Sequence, residues 1–150
     1  MALIVKNGVI NMRLWHKSLI ESLPREQLVA QWRELSAIAG SIQMKGSPNH
    51  ILVNKIMNYS FDHFITYAAA IRAEMTRRGY RTMNNVWEKI IGINDGTYNR
   101  VPFDQLYKEW MNKEYLIICY YNLKEKWLCG GISDADWARI NSICEVINDK

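Results

Sequence analysis

Apolar residues recur at helical spacing along most of the chain, and Gly, Pro, Ser and Asn punctuate the gaps between those runs. Leu28, Trp32, Leu35 and Ala39 share one face, widened by Val29 and Ile38. This stripe predicts a helix with Ser22 as N-cap and Pro24 in its first turn, running to about Ala39, where Gly40 stops it. Ser47-Pro48 opens a second helix carrying Ile51, Leu52, Lys55 and Ile56. Ser60 caps a third, from Phe61 to Arg78, whose stripe is Phe61, Phe64, Ile65, Ala68, Ile71 and Met75 and which Gly79 ends. A short helix spans about Val86 to Ile91, and an exposed loop follows from Gly92 to Val101. Pro102 opens a helix through Trp110, and another runs from about Lys113 to Lys126 with Leu116, Cys119, Tyr120 and Leu123 on its apolar side. Gly130-Gly131 breaks the chain before a last helix, Asp134 to Ile147, with a capping-box-like start at Ser133 and core positions Trp137, Ile140, Cys144 and Ile147.

Only the first eleven residues depart from this period. Leu3-Ile4-Val5 and Val9-Ile10 flank Asn7-Gly8, which reads as a small hairpin or an extended arm that must dock on the body. The expectation is an all-α, compact single-domain fold at 12–150, with an N-terminal extension at 1–11.

Composition adds little to this picture. Hydrophobic residues make up 49% and charged residues 23%, the balance of a globular domain. No apolar run approaches the roughly 18 residues of a membrane span. Cys119, Cys129 and Cys144 have no paired spacing, so a reduced, cytoplasmic protein without a disulfide framework is expected. The net charge of +4 permits a polyanionic partner.

The chain holds no Walker loop, HExxH, paired CxxC or GxSxG. His16, His50 and His63 are not spaced as ligands on one helical face, so neither a metal nor a cofactor is expected. What remains is a cation-rich segment, Arg13, His16 and Lys17, then Arg33 beside Glu34 on the first helix, and Lys124 and Lys126 on a late one. Glu34 lies off the apolar stripe with Ala30 and Ala37 beside it, a shallow patch that a bulky ligand can approach. If cations hold DNA phosphates, a lone carboxylate among them needs another reason. Stabilising positive charge at a sugar carbon during N-glycosidic cleavage is such a reason. Arg72, Arg77, Arg78 and Arg81, near the end of the third helix, suit its macrodipole. A phosphate-contacting patch is the sharper reading of the same residues.

The runs Arg13-Leu14-Trp15-His16-Lys17, Leu23-Pro24-Arg25-x-Gln27-Leu28 and Gln31-Trp32-Arg33-Glu34 resemble the pyrimidine-dimer DNA glycosylase family, typified by the phage T4 endonuclease V. Pro48-Asn49-His50-Ile51-Leu52-Val53-Asn54 and Tyr121-Asn122-Leu123-x-Glu125-Lys126 are similar to its bacterial branch. The resemblance implies a compact all-α glycosylase with associated AP-lyase activity on duplex DNA carrying UV pyrimidine dimers. An α-amine would attack C1′ and form a Schiff base, and β-elimination would cut the strand. It places the catalytic glutamate at Glu34, the DNA-contacting arginines at Arg13 and Arg33, and a late lysine at Lys126. The nucleophilic α-amine falls at Met12, if Met12 is the true start; a start at Met1 would move it to Met1 or Ala2. Lys17 is the nearest lysine that a depressed pKa could make a substitute. Ala37 and Asn122 stand where the family carries further arginines. The same residues also fit a non-catalytic DNA-binding or damage-sensing protein that keeps the fold.

Overall fold

The computed structural model describes residues 12–148, with side chains through Glu145. The expected hairpin at 3–10 and the core position at Ile147 lie outside this range. Five α-helices follow one another: α1 (Arg25–Lys45), α2 (Phe61–Arg77), α3 (Asn84–Ile91), α4 (Lys113–Leu128) and α5 (Asp134–Asn148). Short 3-10 turns lie at Lys17–Ser22, Asn54–Asn58 and Gly92–Asn94, and the described residues contain no strand.

The expected stripes of these helices are buried among the described residues, except that Val29, Phe61 and Tyr120 are only partly so. Leu28, Trp32, Leu35, Ile38 and Ala39 of α1 meet Phe64, Ile65, Ala68, Ile71 and Met75 of α2 in one core. α1 packs on both α2 and α3, while α4 pairs with α5. The 3-10 turn at 17–22 touches α2 on one side and α5 on the other, so residues 12–22 lie between the two helical groups. Leu14, Leu19 and Leu23 are fully buried in that position.

Three expected elements differ. Gly40 does not stop α1, which continues for a further turn and a half to Gly46, where φ of +82° supplies the left-handed cap. Gly40 instead allows a close approach, since a Cβ there would sit 3.0 Å from Lys89 Cε and Nζ. The helix starts later than expected as well: Pro24 is its N-cap residue, and Ser22 ends the preceding 3-10 turn.

The helix expected from Ser47-Pro48 is only a turn followed by the 3-10 segment. Asn49 adopts φ of +58°, and Ile51 is exposed while Val53 and Ile56 are buried. No helical stripe survives that pattern.

The helix expected from Pro102 to Trp110 is a series of turns. Several of its backbone groups bond to distant side chains, alongside isolated local turns. Lys17 Nζ donates to the carbonyls of Phe103 and Leu106, both at 2.7 Å. Tyr107 N donates to His63 Nδ1 at 3.1 Å, and Tyr107 sits at φ of +49°. Trp110 N donates to the Tyr59 hydroxyl at 3.1 Å. Tertiary partners thus interrupt the i to i−4 ladder, of which Leu106 N to Pro102 O at 3.0 Å and Met111 N to Tyr107 O at 2.7 Å remain.

The two α1 glycines should respond oppositely to alanine. Gly40→Ala gains helix propensity and displaces only the tip of the exposed Lys89 side chain, so a stabilisation of about 0.5–1 kcal/mol is expected. Gly46→Ala forces a Cβ into a left-handed residue and should cost about 1 kcal/mol. Urea unfolding midpoints of the two variants test this; a destabilised Gly40→Ala would mean that the Lys89 contact is rigid.

Candidate functional site

Arg13 to His16 form no regular element, yet Leu14 and Trp15 are buried. A buried, irregular backbone must find its hydrogen-bond partners among side chains. It does so on three helices. Gln31 of α1 donates from Nε2 to the Arg13 carbonyl at 2.8 Å and accepts at Oε1 from Trp15 N at 2.8 Å. Tyr67 of α2 places its hydroxyl 2.6 Å from the Trp15 carbonyl and 2.8 Å from Gln31 Oε1. Tyr115 of α4 donates to the Leu14 carbonyl at 2.6 Å.

Gln31 is itself fully buried, and its Nε2 also donates to Glu34 Oε1 at 3.1 Å. One amide therefore holds both the backbone strip and the carboxylate three residues further along α1. The sequence carries a signal for this role. Gln31 lies between Leu28 and Leu35 and next to Trp32, so a polar side chain falls within the buried face.

Glu34 opens onto a cleft of about 730 Å3. The strip contributes Arg13 and Trp15; α1 contributes Arg25, Glu26, Gln27, Val29, Ala30, Arg33 and Glu34; α4 contributes Asn122, Glu125 and Lys126. The volume lies within the usual range of about 300–1,000 Å3 for ligand sites. Gln27 Oε1 is buried and has no hydrogen-bond partner among the described residues. The first turn of α1 has no side-chain cap and borders the cleft, which adds a partial positive charge there.

Burial raises the Glu34 pKa to about 7, against the opposing pull of Arg33, Lys126 and Arg13 and the Gln31 hydrogen bond. Among the described residues Glu34 forms no ion pair. The nearby cations therefore act at a distance, and the carboxyl can hold or release a proton near neutrality. Arg13 lies 5.7 Å over the Trp15 ring, which orients its guanidinium at the cleft edge.

Of the expected site residues, the fold brings together Arg13, Arg33, Glu34 and Lys126. It withholds others. His16 is buried; its Nε2 lies 2.8 Å from the Met111 carbonyl and its Nδ1 accepts from Ser18 N at 3.0 Å. Burial lowers its pKa to about 4, so it is a neutral structural ring. Lys17 is buried against Phe103 and does not line the cleft; burial lowers its pKa, and its ammonium donates to two carbonyls. Lys124 lies 5.8 Å from the Tyr121 ring on another face of α4 and does not line the cleft. Met12 is buried immediately before Arg13. Ala30 lines the cleft, whereas Ala37 is exposed outside it. No group of three His, Cys, Asp or Glu side chains suited to a metal occurs among the described residues.

The family model of pyrimidine dimer DNA glycosylases matches residues 12–88. That span begins at the buried strip and contains the α1 wall of the cleft, but not the α4 wall. No curated protein and no solved structure matches the chain.

Two outcomes follow from the geometry. Gln31→Ala strands the Trp15 N–H and the Arg13 carbonyl, and should cost about 2–4 kcal/mol in urea unfolding. Glu34 binds its proton more tightly folded than unfolded, so its effect on stability has a fixed sign. Between its ordinary value of 4.5 and about 7 the folded state carries more protons, and stability falls as pH rises through that window. Glu34→Gln should flatten this part of the stability–pH curve; an unchanged slope would place the Glu34 pKa back in the ordinary carboxylate range.

Proposed function

The chain belongs to the pyrimidine dimer DNA glycosylase family, and from that membership we propose that the Glu34 cleft excises damaged bases from duplex DNA and then acts as an AP lyase. The observation that carries this reading is the carboxyl of Glu34, half-buried with its pKa raised to about 7 and ringed at a distance by Arg13, Arg33 and Lys126. The cations would hold phosphates on either side of the reacting sugar.

In the first step an amine nitrogen bonds to C1′ as the bond from C1′ to the base breaks, and the base departs with a proton. The ionised Glu34 stabilises the positive charge that develops on the sugar. Glu34 then takes up a proton from solvent and gives it to the ring oxygen, opening the sugar to a Schiff base and leaving the carboxylate ionised again. The carboxylate then removes a proton from C2′, and the 3′ phosphate leaves by β-elimination. A carboxyl with a pKa close to neutral suits both directions of proton transfer.

The nucleophile we favour is the α-amine of Met12 in a form of the protein that begins there. An α-amine has a pKa of about 8 against about 10.4 for lysine, so far more of it is free base at neutral pH. The family match opens on Met12, and Gln31 ties the adjoining Arg13 carbonyl to Glu34. In the 150-residue chain that nitrogen is in a peptide bond. This favours the alternative, a damage sensor without turnover, for that form alone.

Borohydride trapping on abasic duplex separates these readings. A form starting at Met12 should yield a covalent adduct whose linked peptide begins with Met12. Glu34→Gln in that form should keep DNA affinity while strand cleavage falls by roughly 10²–10⁴-fold. Absence of any adduct from a folded, DNA-binding protein would leave only the sensor.

A further inference from the structure

The end of α2 carries more positive charge than its structure uses. Its last carbonyls are met by backbone donors: Arg78 N to Glu74 O at 3.1 Å, Gly79 N to Thr76 O at 3.0 Å and Tyr80 N to Met75 O at 2.8 Å. Arg78 turns inward, pairing with the buried Glu74 carboxylate at 2.7 Å and donating to the carbonyls of Leu23 at 2.8 Å and Glu21 at 3.1 Å. Glu74 is thus already compensated, and the end of α2 is tied to the residues just before α1.

The other arginines face outward. Arg77 shares the Glu74 carboxylate but leaves its side chain 65% exposed. Glu21 is the other acid whose charge acts on it. Arg81 is exposed and, among the described residues, makes no side-chain hydrogen bond or ion pair. Arg72 is held 5.1 Å over the Trp87 ring by bonds to Thr82 Oγ1 at 3.2 Å and Asn84 Oδ1 at 3.3 Å. Arg72 and Arg77, with Trp87 and Thr82, line an open hollow of about 600 Å3 over Ala69 and Ala73.

The end of α2, whose Arg77 lines this hollow, is tied through Arg78 to the Leu23 and Glu21 carbonyls just before α1, whose first turn lines the cleft. Arg25, at the cleft mouth, lies 5.1 Å over the ring of Tyr80, the residue before Arg81. A duplex seated in the cleft and running past this corner would present one phosphate per strand for about every 3.4 Å of helix axis.

We propose that the hollow between the end of α2 and the start of α3 grips the DNA backbone flanking the lesion, extending the footprint of the cleft around the first turn of α1. The inference rests on the reading of the cleft as a DNA site. Its contacts are to phosphates alone, so it adds affinity and salt dependence without sequence preference. Small floor residues let a sugar-phosphate chain approach, and Arg72 is pre-oriented by Trp87 at little further entropic cost.

The test uses the double variant Arg77→Ala with Arg81→Ala, leaving Arg72 and Arg78 in their structural bonds. Affinity is measured by fluorescence anisotropy across a salt series, on a short abasic duplex that spans only the cleft and on one extended well beyond it. On the longer duplex the slope of log K against log salt should fall by about 0.9 for each arginine removed. On the short duplex both the slope and the yield of trapped adduct should equal those of the parent. Arg81→Glu alone, at an exposed position without side-chain partners among the described residues, should lower affinity for the longer duplex in the same direction. An unchanged slope on the longer duplex overturns the proposal and leaves the cleft reading standing. An equal fall on both duplexes overturns it too, since it would place the arginines against the lesion itself. A parent protein that binds neither duplex overturns both readings.

Discussion

The buried amide of Gln31 is the constraint on which the site depends. Residues 13–15 cross the core without a helix or strand of their own, which strands backbone N–H and C=O groups in a region without water. One glutamine answers two of them and still has a second N–H for Glu34. Tyr67 and Tyr115 answer the remaining carbonyls from two other helices. The strip and Glu34 are consequently registered to each other through a single rigid group. Neither can shift by much more than a hydrogen bond's tolerance without exposing an unpaired donor or acceptor at a cost of about 1–3 kcal/mol each.

That arrangement also explains the electrostatics of the cleft. Gln31 is a neutral partner, so it positions the Glu34 carboxylate without neutralising it. A direct arginine pair would have held the pKa low and the proton off. Here burial outweighs three cations that are near but not in contact, and the carboxyl reaches a pKa of about 7. The same fold removes positive charge that the composition seems to offer. Lys17 is spent holding the 103–106 segment, and His16 is kept neutral against Met111. Among the basic groups left at the surface are those lining the cleft and those at the end of α2.

The cleft is a junction between helical groups rather than a property of one helix. Its α1 wall falls inside the span shared with the family, and its α4 wall does not. α4 nonetheless reaches the strip through Tyr115 and brings Lys126 to face Glu34 across the opening. The 3-10 turn at 17–22 touches both α2 and α5, and so joins the pieces that the cleft separates.

Local signals carried much of the architecture. The stripe from Phe61 to Met75 and Gly79 at φ of +83° delimit α2, with Ser60 at its N-cap position but making no side-chain cap bond, because such signals act within a few residues of each other. Ser133 starts α5 for the same reason, its Oγ accepting from Asp136 N at 3.1 Å. Gly40, Ser47-Pro48 and Pro102 misled because their roles are set by distant partners. Gly40 makes room for Lys89, Asn49 breaks the would-be second helix, and Lys17 and His63 capture the polar groups of the 103–107 segment. The sequence by itself determined the helical class, the core faces and the nomination of Glu34, since these follow from periodicity and from motif residues adjacent in the chain. Only the tertiary structure decided which cations stand beside that carboxyl and how it is held. Gln31, Tyr67 and Tyr115 act across as many as 101 residues of chain, and no local pattern encodes a hydrogen bond at that range.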